Sequence, residues 1–448
     1  MNLAVDFSKE NVYKLLFKLS YPSIIAMLIN AGNNIIDGIY LGNLVGGNAL
    51  AVTAIILPVQ MVLMALGTMA PLGAAAMISV KLGSKRLKPI KNIAFTAIIA
   101  AILLSLLIIV IGSIFNIPIL LLSGAQGELL KAAQLYYFSS LIGWLFMPLT
   151  ILGNNLLRTI GEAKKASYIM IISIVVNVIM TPFLIVVFNM GIFGAGLATS
   201  LGQFMSFLLM LYYYFIKKLP FTFKLKEVKF VWTYFRMMHT LGFSAFIRQS
   251  LNSFAAVIYN NLFYIYGGVV ALNAIGIIFK VNTFVLLPIF GILHGFQPII
   301  GYNYGKKDYN RIKEIVNKGL LITVVITLTS LLLVQVFKGP IISIFTPNQD
   351  FTQMAEYGMI FLMIGIPFVG ISLVGSTMFQ SFNKPLTATI IAISRQLFFT
   401  MPLLLVLSRV YALQGIWLAF PIADILTGIL SLMIIYYWLN KIRKKWKK

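Results

Sequence analysis

Long apolar stretches, interrupted at intervals by short polar and basic segments, set the pattern of this chain. A helix that crosses a bilayer needs roughly 20 mainly apolar residues. Stretches of that kind cover 20–42, 49–72, 92–115, 132–157, 167–189 and 191–215, then 238–266, 269–300, 319–337, 354–381, 386–408 and 411–438. The pattern predicts twelve membrane-spanning helices and no strands. Polar side chains inside those spans are few. In NNIIDGIYLGN (33–43), Asp37 ends a long uncharged run in the first span. A charge at that depth costs at least ~2.5–3.5 kcal/mol, so it marks a site more often than an accident.

At 100° per residue, Asn30, Asn33, Asn34 and Asp37 share one face of a helix. Lipid cannot satisfy such a stripe, which must face protein or water. Tyr40, three residues on, is spaced to hydrogen-bond the acid. Asn177 and Thr181 stand one turn apart in the fifth span, and Thr199 and Gln203 one turn apart in the sixth. Amides and hydroxyls in such places also serve simply to join helices, at about 0.6 kcal/mol per bond.

Apart from Glu356 at the very start of the tenth span, only two of the eleven acids, Asp37 and Asp424, fall inside spans. Asp424 shares its half of the chain with Arg248, Lys280 and Arg395, so a fixed ion pair with Lys280 or Arg395 would neutralise it. The spans of the first half hold no cation for Asp37. A buried acid without a partner favours its neutral form, so Asp37 is expected to be the group that takes and releases a proton.

Composition agrees with a membrane protein: 60% of 448 residues are hydrophobic, 10% are charged, and the mean hydropathy is +0.95. The net charge of +24 would suggest nucleic acid if it were diffuse. It is not diffuse. Basic residues crowd the loops after spans 2, 4, 6, 8 and 10 and both tails, including KIRKKWKK, while Lys131, Lys338 and Arg409 stand on the other side. The positive-inside rule then puts both termini in the cytoplasm, and no nucleic-acid partner is expected. Without cysteine, thiolate chemistry is excluded. No GxxxxGK[ST] loop is present for ATP, and two isolated histidines (His239, His294) and scattered acids offer no catalytic cluster. Neither an enzyme nor a cofactor is expected.

The two halves repeat at an offset of 222. LGSKRLKPIKNI (82–93) lies over YGKKDYNRIKEI (304–315), and Gly73 falls on Gly295. Near the ends, GIFGAGLATSLGQ (191–203) meets GIWLAFPIAD (415–424) after a slip of a few residues. Six spans per half give both halves the same orientation. The expected fold is an all-α polytopic membrane protein with two six-helix lobes related by a pseudo-two-fold axis along the membrane normal, the cargo path lying between them. The lobes are expected at 1–216 and 238–448, joined by a basic cytoplasmic loop at 217–237.

YPSIIAMLINAGNNIIDGIYLG, the GAAAMISVKLGSKR and GFQPIIGYNYGKK loops, GNNLLRTIGEAKKASY and SRQLFFTMP, in that order, resemble the multidrug and toxic compound extrusion (MATE) transporters over essentially the whole chain. The resemblance implies a monomeric plasma-membrane antiporter that exports small amphipathic or cationic compounds in exchange for H+ or Na+. It also implies a cation site at Asp37, Asn177, Thr199 and the carbonyl of Ala195, with Asn33, Asn34 and Tyr40 beside it. Thr181 stands where the family has a second acid, which weakens the case for Na+ and favours H+. Gln203, Lys280, Arg395 and Asp424 are expected in the lobe interiors. A lipid-linked oligosaccharide flippase of related architecture is the alternative, and the three embedded cations of the second half keep it open. A passive channel is the plainer one.

Overall fold

The computed structural model describes residues 5–215, 227–344 and 349–446. Helix α1 runs Val12–Tyr40 and closes in a wide π turn at Leu41–Val45. It is followed by α2 (Gly47–Gly83), α3 (Lys88–Ile114), α4 (Glu128–Thr159), α5 (Ala163–Pro182, then a π turn at Phe183–Val187) and α6 (Gly191–Phe215). The helical run Trp232–Lys306 is broken at Gly268, giving α7 (232–267) and α8 (269–306). Next come α9 (Tyr309–Val336) and α10 (Gln349–Ser381). The last stretch is helical from Pro385 to Trp446 and broken at Ala412, giving α11 (385–411), with a π turn at Ser394–Thr400, and α12 (413–446). Twelve spans result, with no strand among the described residues. Residues 217–226 of the loop expected at 217–237 lie outside them.

The repeat extends to the backbone. Positive φ recurs at the 222 offset: Gly46 (111°) and Gly268 (60°), Lys85 (57°) and Lys307 (62°), Gly161 (88°) and Asn383 (55°). The second and third pairs end helices in the same way. Arg86 N–H donates to the Lys81 carbonyl at 3.0 Å and Lys85 N–H to Leu82 at 3.1 Å. Asp308 donates to Asn303 and Lys307 to Tyr304 at 3.2 and 3.1 Å, and the pattern recurs at Glu162–Leu157 and Lys384–Phe379. These are left-handed C-caps that satisfy the last carbonyls of a helix. Three of the four carry a side chain there, so the residue types alone do not announce them.

The chain divides into two compact units. Unit 1 holds residues 1–6 and 21–242, and unit 2 holds 7–20 and 243–448. The first turns of α1 therefore belong to unit 2, and those of α7 to unit 1, whereas the sequence division kept 1–216 together. Local packing accounts for this. In unit 2, Asn303 Nδ2 donates to the Phe7 carbonyl at 3.0 Å, and a side chain on Gly295 would collide with Ser20 Oγ. In unit 1, Val231 N–H donates to Thr96 Oγ1 at 3.2 Å, and a side chain on Gly73 would collide with the Met238 carbonyl. Each glycine admits the backbone of an arriving helix.

Unit 1 centres on Val52, Ile56, Tyr137, Leu141, Trp144 and Ala195, with Tyr137 set edge-on to Trp144 at 5.3 Å. Unit 2 centres on Phe263, Ile278, Met359, Met363, Trp417 and Phe420.

Candidate functional site

Asp37 and Asn33 lie one turn apart on α1, and Asn33 Nδ2 donates to Asp37 Oδ2 at 3.0 Å. Asn177, buried on α5, faces the same carboxylate. In the amide orientation that satisfies its neighbours, Asn177 Nδ2 lies 3.2 Å from both carboxylate oxygens and 3.0 Å from Asn33 Oδ1. Its Oδ1 then accepts from the Thr199 backbone N–H at 3.2 Å and lies 3.3 Å from the Thr199 hydroxyl. That hydroxyl is also 3.3 Å from the Ala195 carbonyl. Three helices thus converge on one acid. Among the described residues no lysine or arginine lies within ion-pair distance of it.

A further member comes from α4. Tyr136 is buried and stands near Thr199 and close enough to Asp37 to interact with it electrostatically. The sequence reading passed over Tyr136 because aromatic residues in apolar spans are usually filler. The available signal was its neighbourhood, LYYFSS (135–140), where four hydroxyl groups fall within five residues. Tyr40, spaced to reach the acid, is half-buried and makes no hydrogen bond to it among the described residues; Asn34 is exposed and makes none either. Thr181 is buried, and its hydroxyl donates to the Asn177 backbone carbonyl at 2.8 Å. Gln203 lies outside this cluster, its Oε1 accepting from Thr150 Oγ1 at 3.4 Å.

The embedded acid of unit 2 is held differently. Arg395 Nε donates to Asp424 Oδ1 at 2.5 Å, and Nη2 lies 3.4 Å from Oδ2. Asp424 is only 3% exposed. A side chain on Gly365 of α10 would occupy the space of its carboxylate, so the pair needs glycine there. Arg395 lies in the π turn of α11, whose Thr400 hydroxyl donates back to the Arg395 carbonyl at 2.7 Å. One residue along, Gln396 Nε2 donates to Asn252 Oδ1 on α7 at 2.7 Å. Lys280 is exposed on α8.

Chemically the two acids are unlike. Asp424 is neutralised by a fixed cation, and removing either member would leave a buried charge. Among the described residues Asp37 is held only by neutral donors, so gaining a proton or a cation changes the charge of the whole cluster.

A family model described as MatE matches residues 22–183 and again 245–406, one stretch in each half. Among characterised proteins, the multidrug export protein MepA of Staphylococcus aureus (strain bovine RF122 / ET3-1) is 26% identical over 430 residues, 96% of this chain and 95% of its own length. MepA of Staphylococcus saprophyticus has the same identity and coverage. Among solved structures, a MATE transporter in its bent conformation superposes with a TM-score of 0.93 at 20% identity, covering 99% of this chain and 98% of its own. The outward-facing conformation of a multidrug resistance MATE family transporter gives 0.90 at 21% identity, covering 98% of each chain. With the family model matching most of the chain, once in each half, this protein belongs to the MATE family of multi-pass membrane transporters.

Proposed function

We propose that this chain is a secondary antiporter that exports amphipathic, mainly cationic compounds in exchange for inward H+, with Asp37 as the coupling group. The observation that carries the reading is the setting of Asp37: a carboxylate at membrane depth, held by two side-chain amides and no cation among the described residues. Both amides present N–H groups to the acid, and among the described residues no second carboxylate joins it. H+ suits that arrangement better than Na+, because a proton needs one carboxylate whereas a sodium ion favours a cage of oxygens. The relatives named for multidrug export support the cargo class.

In this mechanism cargo enters with Asp37 ionised. Protonation removes its charge, weakens the pull on the Asn33 and Asn177 amides and so loosens α1 from α5 and α6. Linkage requires cargo and proton each to lower the affinity of the other. Transport, not catalysis, is the activity, and the plasma membrane is its place. The basic loops support a topology with both termini in the cytoplasm. With no native cysteine, Lys85→Cys should be labelled only from inside and Gln126→Cys only from outside; both positions are exposed.

The deciding experiment uses purified protein in sealed vesicles, with tetraphenylphosphonium efflux driven by an imposed proton gradient or an imposed sodium gradient. The proton gradient should drive efflux by wild type and not by Asp37→Asn. Efflux driven by sodium alone would replace the ion, and full activity of Asp37→Asn would remove the mechanism.

A further inference from the structure

We propose that unit 2 carries a second site, built by α7 and α11, that takes an anionic group, a carboxylate or a phosphate, of an amphipathic molecule. On α7, Arg248, Asn252, Ala255 and Tyr259 follow one another at four-, three- and four-residue steps, a single stripe at 100° per residue. The stripe faces α11, because Asn252 Oδ1 accepts from Gln396 Nε2 at 2.7 Å. The exposed apolar residues Phe254 and Val257 lie on the opposite side of the same helix. Arg248 is therefore turned toward protein at a depth where an unsatisfied charge is costly.

The charges on this face do not balance. Arg395 is matched by Asp424, to which it gives Nε and Nη2, leaving Nη1 without a bond among the described residues. Arg248 is half-buried, and no described carboxylate lies within ion-pair distance of it. The pair is neutral, so one positive charge remains. Along α7, Arg248 precedes the Asn252–Gln396 bond by one turn. Arg395 lies beyond that bond, close enough to Tyr259 to interact with it electrostatically. Two guanidinium groups thus flank a polar bridge. Guanidinium groups bind carboxylate and phosphate through paired N–H donors, which a cationic or neutral amphiphile cannot use. Unit 2 is suited to hold the acidic end of a molecule whose apolar body packs against the neighbouring aromatic side chains.

The proposal deepens the export reading by adding acidic and zwitterionic amphiphiles to its cargo. Its test reads binding rather than transport, so the two can fail separately. The probes are rhodamine B, which carries a free carboxylate, and rhodamine B ethyl ester, the same dye with that group masked. Both are titrated by fluorescence anisotropy against purified full-length protein in nanodiscs of phosphatidylcholine. Wild type should bind rhodamine B at least threefold more tightly than the ester. Arg248→Gln should raise the Kd for rhodamine B at least tenfold relative to that for the ester, and Arg248→Lys should recover most of the loss. Nanodiscs containing phosphatidylglycerol separate the two sources of an anionic group. Competition with rhodamine B there makes a lipid headgroup an occupant of the site, and its absence alongside the Arg248 effect leaves cargo. Equal shifts for both dyes, no shift for either, or a wild type that prefers the ester would each overturn the proposal; the wild-type comparison stands even if Arg248→Gln does not fold.

Discussion

Counting 222 residues on from the polar cluster of unit 1 gives the same places in unit 2, filled with different chemistry. Asp37 becomes Tyr259, Asn33 becomes Ala255 and Asn177 becomes Phe399. Tyr259 packs on Phe279 at 4.9 Å and edge-on to Phe420 at 5.7 Å. Where unit 1 sets Tyr136 of α4 beside a small residue of α6, Gly196, unit 2 sets a glycine of α10 beside a ring of α12, Gly358 and Trp417. The exchange also runs the other way. Where α5 and α6 of unit 1 are joined by one hydrogen bond of 2.7 Å from Ser173 to the Gly202 carbonyl, α11 and α12 of unit 2 are joined by the ions Arg395 and Asp424. One backbone plan thus carries a lone acid in unit 1, and in unit 2 a neutralised acid beneath an aromatic core. If Asp37 is the coupling group, ion coupling needs only one of the two units, and the other is free to serve cargo.

The sharpest way to break that contrast is to remove the lone acid. Asp37→Asn keeps the shape and both amide neighbours yet takes away the charge, and it should abolish gradient-driven efflux in vesicles while the purified protein stays folded. If Asp424→Asn did the same with an unchanged melting temperature, the assignment of separate roles would be reversed.

Next in size is the ion pair itself. Arg395→Ala leaves the Asp424 carboxylate buried without a partner, which should cost about 3–5 kcal/mol and lower the thermal midpoint in detergent. The double variant Arg395→Met with Asp424→Leu should recover most of the loss, because the desolvation penalty goes with the charges. Ser173→Ala, at the corresponding crossing of unit 1, removes one hydrogen bond and should cost only ~1 kcal/mol.

The third tests the exchange of large and small residues. A Cβ on Gly358 would fall 2.5 Å from the Trp417 ring, so Gly358→Ala should destabilise unit 2 by about 1–3 kcal/mol through overpacking. Trp417→Ala alone should cost about 3–5 kcal/mol. Combined, the two should cost clearly less than their sum, since the new methyl group enters the space the ring has left. A strictly additive pair would mean that the two positions do not share that space.

How far the sequence reveals these features depends on what lipid forbids. The twelve spans, the isolation of Asp37 and its stripe with Asn33 are readable because a bilayer penalises every charge and every unsatisfied amide. The partner of Asp424 was narrowed to Lys280 or Arg395 and no further, because a sequence gives no relative heights of spans 8, 11 and 12. Tyr136 escaped notice because its nearness to Thr199 depends on how α4 meets α6. The crossing of residues 7–20 into unit 2 was equally hidden. A repeat gives register within a half, but it does not say which half receives the end of a helix.

Thr181 supplies the smallest and most discriminating test within unit 1. It stands where the family resemblance implies a second acid, and a cation cage would need its oxygen. The hydroxyl instead donates to the Asn177 backbone carbonyl one turn earlier at 2.8 Å, ahead of Pro182. That bond steadies the turn that aims Asn177 at Asp37, and its loss should be worth no more than about 1 kcal/mol. Thr181→Val is close in shape and lacks the hydroxyl. If H+ is the coupling ion, this variant should keep proton-driven efflux within about threefold of wild type, a change of less than ~1 kcal/mol in the barrier. If Na+ were held there, losing one of its few oxygen ligands would cost far more than that. A collapse of transport in Thr181→Val, with Asp37 intact and the protein folded, would make sodium the ion and Thr181 one of its ligands.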